Sequence, residues 1–142
     1  MIAAAAPVVV PAQEKDTSRA PRWVLAAAAA VAALAHVPVI GPHLDEAPYM
    51  GVLFVVLTAA CAFLGVAALV RGGRAVLLLT VLTCGLAVLG YAATRLVAFP
   101  MLADDVGNWL EPLGVVSVVS ESVAVAAAVI GLRRASRDAV PV

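Results

Sequence analysis

Six polar side chains crowd one stretch of an otherwise apolar chain. In FPMLADDVGNWLEPLGVVSVVSE, residues 99–121, stand Asp104, Asp105, Asn108, Trp109, Glu111 and Glu121. Arg95 and Tyr91 precede the stretch at helical spacing. A carboxyl group in apolar surroundings can hold a proton, ligate a cation or grip a polar head group, and a guanidinium beside it can orient an anionic group. Glu121 is the most telling of the set, because it lies well inside a hydrophobic segment. An acid at the centre of a bilayer costs roughly 2.5–3.5 kcal/mol on insertion scales, so it faces a bundle interior and finds a partner. A protonated Glu121 bonded to a neighbouring Thr or Tyr as packing glue is one expectation. A proton, cation or ligand site is the other. Arg95 either snorkels to the head groups or pairs with Glu111, Asp104 or Asp105, and the density of acids favours a pair.

Other residues invite chemistry with less force. His36 and His43 are seven apart, two helical turns, but Pro38 and the Gly41–Pro42 pair are expected to interrupt the helix between them. A zinc site from His36, His43 and nearby acids such as Glu46 is a weak reading, and a bis-histidine haem is weaker still. Cys61 and Cys84 lie equally far from the RGGR link at 71–74, hence at equal depth. They read as small apolar fillers, as a metal site with Glu121, or as a thiol pair. The lack of a CxxC spacing and the mid-bilayer depth speak against redox exchange. There is no phosphate loop, HExxH or GxSxG, so no cofactor and no metal are expected. Formal net charge is zero and aromatics are 5%, which argues against a nucleic-acid partner.

The elements that must position these residues are membrane spans. The chain is 64% hydrophobic and 13% charged, against about 45–50% and about 25% in soluble domains. The apolar residues fall into four runs, at about 22–40, 49–70, 75–99 and 110–132. Each is long enough to cross a hydrocarbon core of ~30 Å as a helix, the form that satisfies its own backbone in lipid. Short links predict antiparallel neighbours, hence an all-α, up-down four-helix bundle with the lipid bilayer as its first partner. Residues 1–21 read as a disordered tail and 133–142 as a short basic tail. A basic leader followed by ALA at 33–35 also resembles a signal peptide, which would leave three spans.

Eight of the nine basic residues flank helix one, fill the middle link or follow helix four. The positive-inside rule then places both termini in the cytoplasm of a plasma membrane. Arg-for-Lys usage with abundant Ala and Val suggests a bacterial source. In this orientation His36, His43, Asp45, Glu46, Tyr49, Tyr91, Asp104, Asp105, Asn108, Trp109 and Glu111 gather on the outer side, the aromatics doubling as interface anchors. The two outer links share a spacing, His36 to Asp45–Glu46 and Arg95 to Asp104–Asp105, which either chance or a duplicated helix pair would produce. Inward stripes follow from helical spacing: Thr58, Cys61, Gly65 and Ala68; Thr80, Cys84, Ala87, Tyr91 and Arg95; Gly114, Ser117, Glu121, Ala124 and Ala128. Together they predict a polar vestibule reaching down to Glu121.

The segments HLDEAPYMG, GYAATRL and ADDVGNWLEPLGVVSVVSE resemble a group of small four-span actinobacterial membrane proteins without a characterised activity. The resemblance rests on His43, Glu46, Tyr91, Arg95, Asn108, Trp109, Glu111, Pro112, Gly114 and Glu121. It implies fold and location, and nothing about chemistry. Three functions remain. The small loops and the lack of a legible catalytic set favour a non-enzymatic accessory or assembly protein, working with a larger membrane partner or as a homo-oligomer. A binding or permeation unit for a cation, proton or small amphiphile comes next. A membrane enzyme on a lipidic substrate, with Glu121 or Asp104 as acid/base, comes third.

Overall fold

The computed structural model of the chain describes residues 19–138. Four helices carry it: α1 (Arg19–Glu46), α2 (Pro48–Val70), α3 (Arg74–Leu96) and α4 (Pro112–Asp138), with a 3₁₀ turn at Ala103–Asp105 before α4. All four are long and apolar enough to cross a membrane. Proline opens α2 and α4, where a missing N–H is harmless and the fixed φ suits a helix start. Glu111 caps α4, its carboxylate accepting from the N–H groups of Leu113 and Gly114. Between α2 and α3 the chain reverses at Gly72 and Gly73, both at positive φ. A Cβ on Gly72 would lie 2.6 Å from the guanidinium carbon of Arg22, which covers the turn.

Several boundaries differ from the sequence-based reading. α1 does not stop near Ile40. It runs unbroken through Pro38 and Pro42 to Glu46. Pro38, Gly41 and Pro42 all lie exposed on the side away from the bundle. Each proline removes one intrahelical bond, but leaving the helix in apolar surroundings would strand more backbone groups than that. The first link therefore shrinks to Ala47, which is fully buried. Arg19 to Pro21 belong to α1 and residues 133–138 to α4, so neither tail begins where expected. The remaining tail residues, 1–18 and 139–142, lie outside the described part. The two links at this end are unlike in length and form, and nothing in them favours a duplicated helix pair.

α1 packs against α2 and α4, and α4 packs against α3; the seam between α2 and α3 is the loosest. Near the hairpin end, Leu25, Ala68, Ala127 and Ala128 form a packed layer. Above it sits a second layer of Ala28, Ala32, Ala33, Cys61, Cys84 and Ala124. Small residues dominate because lipid provides little hydrophobic force between helices, so close backbone approach supplies the attraction. Gly65 marks one such crossing of backbones, where a Cβ would lie 3.3 Å from the carbonyl oxygen of Ala26 and 3.5 Å from Ala29 Cβ. The apolar stretch of α1 is 44% buried and that of α3 only 11%. α3 is thus the helix least held by the bundle.

Candidate functional site

Above the two alanine and cysteine layers the bundle opens. Glu121 lies nine residues into α4, about 14 Å from its start by helical rise. It is 1% exposed. Its partner is His36, whose Nε2 is 3.0 Å from Glu121 Oε1. Ser117 Oγ, one turn up α4, is 3.3 Å from the same nitrogen. The expected Thr or Tyr partner is not used, and the reason is local. Thr58 donates to Phe54 O, Thr80 to Val76 O and Thr94 to Tyr91 O, so these three threonines are satisfied on their own helices. Tyr91 donates to the carbonyl of Trp109 instead. His36 reaches Glu121 because it lies ten residues below the end of α1, at matching depth, and not in the outer link.

Arg95 turns inward at the end of α3 and is 7% exposed. Its Nη1 sits 2.6 Å from Asp105 Oδ1 and donates to the Asp105 carbonyl at 3.2 Å. The guanidinium carbon lies 4.5 Å above the Tyr91 ring. Of the acids considered for it, Asp105 is the partner, and Glu111 serves α4 as its cap. Arg95 Nε has no hydrogen-bond partner. The peptide N–H of Gly107 donates to the Arg95 carbonyl, folding the link back over α3.

Between the His36–Glu121 hydrogen bond and the Arg95–Asp105 ion pair lies a cavity of about 550 Å³. All four helices contribute to it, and its walls are mainly apolar, from Leu53, Phe54, Leu57, Leu82, Leu86 and Ala87. Exposed Leu53, Val56, Leu82, Leu86 and Gly90 surround its opening along the loose α2–α3 seam, facing where lipid would be. The polar groups sit inside: His36, Ser117 and Glu121 at the floor, Tyr91, Arg95, Asp105 and Glu111 toward the loop end. Below the floor the alanine and cysteine layers close the bundle. The chamber is closed at its floor and open along the seam.

Most of the predicted site residues meet here. His36, His43, Tyr91, Arg95, Asp105, Glu111, Ser117 and Glu121 line the cavity. Glu46, Asp104, Asn108 and Trp109 do not; they are exposed at the loop end. Trp109 still packs edge-on to Tyr91, ring centres 6.4 Å apart. Phe54 was missed. It stands between the two histidines, 5.4 Å from His36 and 4.8 Å from His43. Extending the α2 stripe one turn up from Thr58 would have found it. His43 Nδ1 bonds to the Val39 carbonyl at 2.8 Å. The free thiols of Cys61 and Cys84 pack together in the layer beneath the floor. Among the described residues, no three His, Cys, Asp or Glu side chains are grouped to hold a metal ion.

Comparison with protein-family models, with curated proteins and with solved structures finds no match to this chain.

Proposed function

We propose that this is a membrane-embedded binding protein for a small amphiphile, which reaches the cavity from the bilayer through the α2–α3 seam. The observation that carries the reading is the form of the chamber: apolar walls open toward lipid, and polar groups confined to the floor and the loop end. Its volume falls in the range of small-molecule sites, about 300–1,000 Å³. The closed layers beneath Glu121 speak against permeation through a single chain. An accessory role beside a larger membrane partner is compatible with binding, and α3 is the face such a partner would meet.

By the distribution of Arg and Lys, the hairpin and both termini lie in the cytoplasm of a bacterial plasma membrane, and the chamber opens into the outer half of the bilayer. Kinship with the small four-span actinobacterial proteins belongs to the same proposal.

Native mass spectrometry of the gently extracted chain tests the binding reading. The expected spectrum shows the 14.4 kDa chain carrying an added small mass. Gly90→Leu should remove that mass, because Gly90 lines the cavity and a Cβ there meets nothing within 4 Å. A bare wild-type chain would overturn the proposal.

A further inference from the structure

The turn between α2 and α3 gathers positive charge from two directions. Arg71 and Arg74 flank its two glycines and are both exposed. Arg22 reaches the same turn from α1. A Cβ on Gly72 would lie 2.6 Å from its Cζ, 2.7 Å from Nη2 and 2.8 Å from Nε, so the guanidinium rests against the turn. Membrane insertion asks only that arginines collect at one end of the spans. It does not ask Arg22 to fold over the hairpin instead of extending away from it. The carboxylates with described side chains, Asp45, Glu46, Asp104, Asp105, Glu111 and Glu121, all stand elsewhere. Arginine keeps its charge at every physiological pH. Three like charges meeting at one turn repel one another, and an anion among them converts that repulsion into attraction.

The residues next to these arginines are apolar. Val70, beside Arg71, is 75% exposed, and Trp23, beside Arg22, is 63% exposed. A soluble anion would use the arginines and leave that surface unmatched. A phosphate attached to acyl chains matches both, with guanidinium forks on its oxygens and Trp23 at head-group level. We infer that this corner holds the head group of an anionic phospholipid, its phosphate between Arg22, Arg71 and Arg74 and its chains along the apolar surface of the neighbouring helices. The corner lies beyond the alanine and cysteine layers that close the cavity floor, so the inference stands apart from the amphiphile reading of the chamber.

Two lipids with the same chains test it: dioleoylphosphatidylglycerol, an anion, and dioleoylphosphatidylcholine, a zwitterion with the same phosphate. Each is titrated against the purified full chain in micelles, with retention read by native mass spectrometry. The anionic lipid should be retained about tenfold more tightly. Arg22→Gln should lower that preference about fivefold, and Arg71→Gln should do the same at an exposed position where folding is not at stake. Arg137→Gln removes the same charge from the same end, on α4 and outside the corner, and should change the preference less than about twofold. Equal retention of the two lipids by the wild-type chain would overturn the inference. Equal losses in the Arg22, Arg71 and Arg137 variants would replace the site with diffuse surface charge and overturn it too. An unchanged preference in Arg22→Gln with a lowered thermal midpoint would mean that Arg22 only faces the carbonyl end of α2, which removes it from the site. Glycerol phosphate in large excess should fail to displace the bound lipid. Full displacement would make a soluble anion the ligand and overturn the choice of a phospholipid.

Discussion

His36 and Glu121 are the residues on which the interior depends. Each is polar, nearly inaccessible and 85 positions from the other. In water such a pair would contribute little, but within a bundle the alternative for either partner is an unsatisfied polar group among alanines. Removing one side should therefore cost more than removing both. His36→Leu should destabilise by about 2 kcal/mol, Glu121→Leu by somewhat less because Ser117 still faces His36, and the double variant should recover part of the loss. The coupling expected from membrane-protein double-mutant cycles is roughly 0.5–2 kcal/mol. Reversible unfolding in mixed micelles measures it, and strictly additive losses would show that the two groups do not interact.

The helices meet in two different ways. α1 and α2 are joined by one residue and pack at backbone distance, with Gly65 against Ala26 and Ala29. α2 and α3 are joined by a three-residue hairpin, yet they pack loosely and leave the seam that opens the cavity. This contrast makes opposite expectations for the same change at two glycines. Gly65→Leu forces a side chain into occupied space and should lower stability by about 1–3 kcal/mol. Gly90→Leu extends into open space and should leave the thermal midpoint close to wild type while filling the chamber. Equal destabilisation in both, read by circular dichroism during heating, would contradict the packing described for the seam.

For the molecule as a whole, charge is divided by end. Arg71, Arg74, Arg133, Arg134 and Arg137 lie at the hairpin end, and Asp45, Glu46, Asp104, Asp105 and Glu111 at the other. The proposed orientation follows from that division and has a direct measurement. Asp104→Cys should react with a membrane-impermeant thiol reagent on intact cells, and Ser136→Cys only after permeabilisation. Both positions are exposed, whereas Cys61 and Cys84 are buried and should contribute little background. The reverse pattern would turn the protein over and place the chamber in the inner half of the bilayer.

Run length and helical period are local properties. The sequence alone therefore marked four helices long and apolar enough to cross a membrane, a sharp turn at residues 71–74, and Cys61, Thr80, Cys84, Ser117, Glu121 and Ala124 as inward-facing. It also placed acids densely near Arg95, which favoured a pair over snorkelling without naming the partner. It misread α1, because a proline rule drawn from water overstates how readily a helix breaks where no solvent can take over the freed carbonyls. Only the tertiary structure decided that Glu121 meets His36, that Asp105 and not Glu111 takes Arg95, and that Phe54 stands between two histidines. Those pairings depend on which helices are neighbours and on their depth and rotation against each other, and periodicity within a single span carries none of that. The cavity belongs to the same class of fact: it exists because α2 and α3 part company, and no residue in either helix signals a gap by itself.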